Sequence, residues 1–178
     1  MHKSFFSIGL FLCVHSLTSV GAGAQSTADD TVAVIAAIVS GASASGKRLA
    51  VVSEFVQPGG RQNSNAEPVA MQGGEPKFRK AVGTKADLVP AIVNEPNPRV
   101  RSERWKTLRI YSEILTFSPI EFHADSARAE VFSATVLTGV GGTYLGGSDN
   151  EYDLRRTPTG WIVTRKTTVR TSMGLLDS

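Results

Sequence analysis

Cysteine is nearly absent from this chain. Of 178 residues only Cys13 carries a thiol, and it stands inside an apolar run near the N-terminus. Downstream of that run, disulfides, a thiol nucleophile and a thiolate metal site are excluded. Histidine is almost as scarce: after His2 and His15 only His123 remains, so any histidine-dependent chemistry in the body of the chain must use it. An excess of one charge is missing too, with 19 basic against 16 acidic residues. The two halves are alike, 8 basic and 7 acidic residues over 25–100 and 10 and 9 over 101–178. No polyanion-binding tail results, and nucleic acid is not an expected partner. The longest strongly apolar run, Phe5–Val14, has ten residues, half of the roughly 20 that a spanning helix needs. There is no N-x-Ser/Thr sequon, no G-x-S-x-G elbow and no H-E-x-x-H pair.

What is present begins with an address. Met1-His2-Lys3 is a short basic start, Phe5–Val14 an apolar centre, and Ala22-Gly23-Ala24 an A-x-A processing site. These are the three parts of a secretory signal peptide over 1–24, with Gln25 as the mature N-terminus. Cys13 is a poor lipoprotein anchor, because Leu12 precedes it where a small residue is expected. Removing the leader's 24 residues from 178 leaves 154, enough for one domain, 25–178, with a core of its own. A short leader and a body without disulfides point to a bacterial protein that is exported, periplasmic or secreted.

Over 29–40 (DDTVAVIAAIVS) Val32, Ile35 and Val39 recur at helical spacing, with Asp29 or Asp30 to cap the start and Gly41 to follow the end. The β-branched residues leave a buried strand as the competing reading. Residues 47–56 (KRLAVVSEFV) predict a strand closed by Pro58-Gly59-Gly60. Residues 57–76 are rich in Gly, Pro, Asn and Gln and read as a flexible loop. A short helix is predicted over 84–93, with Thr84 as cap and Pro90 arguing for a break. In 103–117, Trp105, Leu108, Tyr111 and Leu115 match helical spacing only loosely.

The C-terminal third predicts two β-hairpins. The first runs over 118–124, turns at Ala124–Ala127 and returns along 128–137. The second runs over 150–156, turns at Thr157–Gly160 and returns along 161–171. A four-residue turn in the second pairs Arg156 with Trp161, Leu154 with Val163 and Tyr152 with Arg165. Alternation then puts Tyr152, Leu154, Trp161 and Val163 on a core face, and Glu151, Asp153, Arg155, Thr164 and Lys166 on a water face. Glu151 faces Lys166 across the strands. In the first hairpin Ile120, Phe122, Ala129 and Val131 share one face. The expected fold class is α+β: an antiparallel sheet with two C-terminal hairpins packed on one or two helices.

Four constellations carry chemical possibilities. Gly41 to Arg48 (GASASGKR) matches the spacing of a phosphate-binding loop. But Arg48 stands where Ser or Thr should hold magnesium, and the predicted order is helix then strand, the reverse of what that loop needs. Gly139 to Gly147 (GVGGTYLGG) offers Gly141 and Gly142 as close-approaching backbone and Tyr144 as an aromatic contact, a ligand loop if it is not simply a mobile connection between strands. Glu121, His123, Arg128 and Glu130 cluster on the outer face of the first hairpin. Two carboxylates and an imidazole suit a divalent metal or an oriented base, although a solvated sheet face shows the same alternation and Arg128 repels a cation. Trp161 and Tyr152 line either a pocket or the core. No residue is assigned a catalytic, cofactor-binding or metal role, and no cofactor is expected.

The stretch 118–172 resembles the C-terminal part of a loose group of exported bacterial α+β proteins of unknown function. The shared pattern is Phe122-His123-Ala124-Asp125 at a turn, an Ala/Val-rich strand from Ala127 to Val136 and a Gly-rich connection from Gly139 to Gly147. Leu154, the Gly160-Trp161 strand start and the basic Arg165-Lys166 complete it. That resemblance implies an exported domain and no particular activity. The Gly-Trp hairpin is also similar to the end of cone-shaped folds of the nuclear transport factor 2 type, which implies a curved sheet around an apolar small-molecule pocket. The expected function is a non-catalytic binding or envelope-accessory role toward an unknown protein or small-molecule partner. The alternative is a cone-type pocket protein with enzymatic use.

Overall fold

The computed structural model describes residues 26–44, 46–56, 68–69, 79, 82–90, 92 and 95–176. The predicted signal peptide over 1–24 and most of the predicted 57–76 loop lie outside them. Helix α1 spans Ser26–Ser43, longer at both ends than the predicted 29–40. Val34, Ile35, Ile38 and Val39 are buried along one stripe. Tertiary burial of that stripe outweighs the weak helix propensity of its β-branched residues, so the strand reading falls. Because the helix starts at Ser26, neither Asp29 nor Asp30 caps it.

Strand β1 (Leu49–Val52) is buried at every position, as a strand covered on both faces must be. Short β2 (Phe55–Val56) and β3 (Pro68–Val69) pair antiparallel in a separate small sheet. β4 (Asp87–Val89) corrects the predicted 84–93 helix. Pro90 pushes Val89 toward extended backbone, and Ala50–Val52 supply a parallel partner for all three residues. The ambiguous 103–117 segment divides among three elements. Helix α2 (Pro98–Thr107) is capped by Asn97, whose side chain accepts from Arg99 N at 3.0 Å and Val100 N at 3.4 Å. A single 3-10 turn follows, and β5 (Glu113–Phe117) begins after Ser112.

Strands β6 (Glu121–His123), β7 (Ser126–Gly139), β8 (Gly142–Thr157) and β9 (Gly160–Leu175) complete a seven-stranded sheet. Its order is β4-β1-β5-β7-β8-β9, with β6 also on β7. The fold is α+β and mostly antiparallel; among the described residues only the β1 pairings with β4 and β5 are parallel. The pleat sends alternate residues to two cores. Leu49, Val51, Leu115, Phe117, Ala129 and Val131 meet α1. Ala50, Val52, Ile114, Ala134 and Val136 meet Trp105 and Leu108 of the α2 region on the other face.

Both predicted hairpins exist, with tighter turns. Ala124-Asp125 alone reverses β6 into β7, Ala124 taking φ 50°, so Glu121 faces Arg128 and His123 faces Ser126. Pro158-Thr159 reverses β8 into β9, and the predicted Arg156–Trp161 and Leu154–Val163 pairs hold. A bulge between Asp153 and Leu154 then shifts the register. Tyr152 faces Lys166, Asp153 faces Arg165, and Glu151 faces Thr167 rather than Lys166. Tyr152, Leu154 and Trp161 are buried as predicted, but Val163 is 38 % exposed. Phe122 meets Trp161 edge-on at 5.7 Å. The predicted Gly-rich connection 139–147 is not a long loop. It is a two-residue turn, Val140-Gly141, followed directly by β8. Among the described residues no helix is long and apolar enough to cross a membrane.

Candidate functional site

The richest group of charged side chains lies on the α2 face of the two C-terminal hairpins, beyond the stretch that α2 covers. Register aligns it in a row across four strands: Glu121 on β6 faces Arg128 on β7, which faces Asp153 on β8, which faces Arg165 on β9. Asp153 is the hub. Arg165 donates from Nε at 2.7 Å to its Oδ2, with Nη2 in ion-pair contact at 2.5 Å, and Arg128 Nε donates at 3.4 Å to its Oδ1. The Arg165 guanidinium first, with Arg128 behind it, holds the Asp153 carboxyl below the usual carboxylate range, against a smaller opposing effect of desolvation. Thr164, the residue that the bulge leaves over on β9, donates its hydroxyl to Asp153 O at 3.0 Å.

Glu121, Arg128, Asp153 and Thr164 line an open groove of about 580 Å³ that also takes in His123 and Arg155. Of the four residues that the sequence groups on this face, three therefore come together: Glu121, His123 and Arg128. Glu130 does not line the groove, and register sets it opposite Glu151 instead. His123 is exposed at the strand end, where Ser126 Oγ donates to its backbone carbonyl at 2.9 Å. Among the described residues no three His, Cys, Asp or Glu side chains are grouped to hold a metal ion. Arg128 stands between the carboxylates of Glu121 and Asp153 in the row, so the geometry favours ion-pair exchange with a charged partner over cation ligation.

The second predicted site has a structural explanation. Gly141 and Gly142 take φ of 101° and 140° at the β7–β8 turn, a conformation that glycine alone adopts without strain. Tyr144 folds back over that turn; its hydroxyl would lie 3.3 Å from a Cβ at position 141. The ring closes the hairpin tip. The 41–48 motif joins the end of α1 to β1. There Arg48 pairs with Asp87 at 3.1 Å and stacks 5.0 Å over the Tyr111 ring. Burial first, and then Asp87, push the Tyr111 hydroxyl up from its ordinary range.

Farther along the α2 face a smaller groove of about 320 Å³ runs past Phe132, Leu145, Gly147 and Leu176, rimmed by Asp149 and Arg170. Arg170 binds Asp149 through Nε at 3.1 Å and Nη2 at 2.8 Å. At the opposite end Asp30 ties α1 to β9. It accepts from Trp161 Nε1 at 3.1 Å and pairs with Arg156, whose guanidinium lies 5.3 Å over the Trp161 ring.

Sequence reasoning placed Asp153, Arg155 and Thr164 on a water face without joining them to the His123 cluster. The signal available was the charge alternation of both hairpins. What hid the site was the bulge, which sets Arg165 rather than Thr164 opposite Asp153. No protein-family model matches the chain, and no curated protein or solved structure matches it either.

Proposed function

We propose that this chain is an exported bacterial domain that acts by binding a partner in the envelope or outside the cell, without catalysis. One observation carries the reading. Among the described residues β9 is an outer strand of the sheet, and every one of its residues from Ile162 to Leu175 is exposed. Its 16 residues extend for about 50 Å at 3.3 Å per residue. A long strand edge presents a row of backbone donors and acceptors to any extended chain that comes alongside. Met173, Leu175, Leu137 and Val140 add exposed apolar surface at the hairpin tip, the kind of patch that marks contact with another molecule. The two grooves described above are open, as a contact surface is. The leader at 1–24 and the resemblance of 118–172 to exported bacterial α+β proteins support the compartment.

Photo-crosslinking in the expressing cell tests the binding reading. A photoreactive residue replacing Val169 on β9 is expected to yield a discrete crosslinked species, and one replacing Arg99 on α2 is not. Equal labelling from both positions, or none from Val169, overturns it. Intact mass of the protein in the exported fraction tests the address: a chain beginning at Gln25 is expected, and a full-length chain confined to the cytosol refutes export.

A further inference from the structure

The cross-strand charges of the sheet run in rows, and three rows end on a cation at β9, whereas the Glu130–Glu151 row ends on Thr167 and Arg155 faces Ile162. Glu121, Arg128, Asp153 and Arg165 alternate in sign across β6, β7, β8 and β9. Asp149 on β8 is followed by Arg170 on β9. On the opposite face Tyr152 is followed by Lys166, whose ammonium lies 5.4 Å from the ring centre. Arg165 and Arg170 remain more than half exposed despite their pairs. Residues 160–175 include no Asp or Glu at all. Opposite charges facing each other across strands stabilise pairing and like charges oppose it. The pattern therefore calls for one more strand, and an acidic one.

We infer that β9 receives an extended acidic segment of a partner protein as an added strand. This rests on the binding reading above and specifies its partner. The row positions set a spacing. The β8 residues that define the three rows are Asp153, Tyr152 and Asp149, so the rows stand at steps 0, 1 and 4 along a regular strand; on β9 itself Arg165, Lys166 and Arg170 stand at steps 0, 1 and 5, because a second bulge, between Asp149 and Asn150, leaves Val169 over. A parallel partner meets them with the order acid-acid-x-x-acid and an antiparallel partner with acid-x-x-acid-acid. Alternation sends the first and last rows to the groove side and the middle one to the side of Lys166. A second copy of this chain fits poorly, because two β9 edges side by side set cations against cations. Backbone bonds supply affinity in such strand addition and alternate side chains supply selectivity.

Fluorescence anisotropy with the purified chain tests this. The probes are labelled Thr/Val peptides carrying Glu in each of the two orders, a scramble of the same composition, and a peptide with Lys in place of Glu. One ordered acidic peptide is expected to bind at least tenfold tighter than its scramble, and the Lys peptide not to bind. Lys166→Glu leaves the Asp153 pairing in place and is expected to weaken binding several-fold. Arg165→Glu with Arg170→Glu is expected to lose the acidic peptide and to gain the Lys peptide, provided that circular dichroism matches the parent. Equal binding of ordered and scrambled peptides, no binding of either, full competition by single-stranded DNA, or a β9-dependent homodimer by sedimentation each overturns the inference. A crosslink at Val169 alongside silent peptides leaves the binding reading standing and removes this one.

Discussion

β1 and β9 belong to one sheet and differ in almost everything else. β1 is four residues long, sits between two parallel neighbours and is buried at every position. β9 is four times longer, has among the described residues a neighbour on one side only, and buries Trp161 alone. The short strand is held by two helical layers, one on each face. The long one is held by its ladder to β8, by three cations on its length, and by α1 at its first residues. Stability in this molecule is thus concentrated around β1, β5 and the two helices. The hairpin tips depend on that centre and contribute little to it. Surface that stability does not need is free to serve contact.

The sharpest way to break the comparison is to cut side chains on both sides of it. Phe117 on β5 is fully buried among the α1-side core residues. Phe117→Ala is expected to cost about 3–5 kcal/mol in urea unfolding, the usual range for a buried phenylalanine. Met173 on β9 is 69 % exposed, and Met173→Ala is expected to stay within about 0.5 kcal/mol of the parent. A loss above about 2 kcal/mol at Met173 would mean that the tip belongs to the core.

Two contacts stand between those extremes. Asp30→Ala removes the acceptor of the Trp161 indole and the partner of Arg156. An unsatisfied half-buried donor costs about 1–3 kcal/mol, and Asp30→Asn, which keeps an acceptor, is expected to recover part of it. Gly147→Ala would put a Cβ 2.5 Å from two carbons of the Phe132 ring. The ring has to leave, at about 1–3 kcal/mol for overpacking. Phe132→Leu in the same chain is expected to relieve the clash, so the double variant is less than the sum of the singles. Additive losses would show that Phe132 is not what Gly147 accommodates.

The sequence made the two regions legible to different degrees, for physical reasons. The hairpins announce themselves because period-two alternation in Tyr152, Leu154, Trp161 and the residues between them needs no long-range knowledge. The β4 strand does not: three residues before Pro90 show no pattern of their own, and only a parallel neighbour in β1 makes them a strand. The helix over 29–40 was readable through its stripe, but its start was not, because Asp30 is used across the chain by Trp161 instead of as a cap. The site was half legible. Glu121, His123 and Arg128 follow from alternation within one hairpin. Adding Asp153 and Arg165 requires knowing that β8 pairs with β7 and that a bulge at Thr164 shifts β9 by one residue, which composition does not record.

The smallest expected effect is the one that ties the charged row to the fold. The folded-state pKa of Asp153 is depressed, by Arg165 foremost. A depressed carboxylate contributes stability that is fully present above its unfolded value, about 3.9, and that is lost as pH falls through the folded value beneath it. Between pH 7 and pH 5 the parent and Asp153→Asn are therefore expected to keep a constant difference in urea midpoint. Below about pH 4 the difference is expected to shrink, since the parent alone must protonate this group. The change is small, because the pair is open to water and screened by salt. It is also expected to shrink further in 0.5 M NaCl. A difference that widens on acidification would mean that Asp153 is strained, not stabilised, by its two arginines. The row would then be an arrangement that the sheet tolerates and that a partner, by replacing Asp153 at Arg165, would relieve.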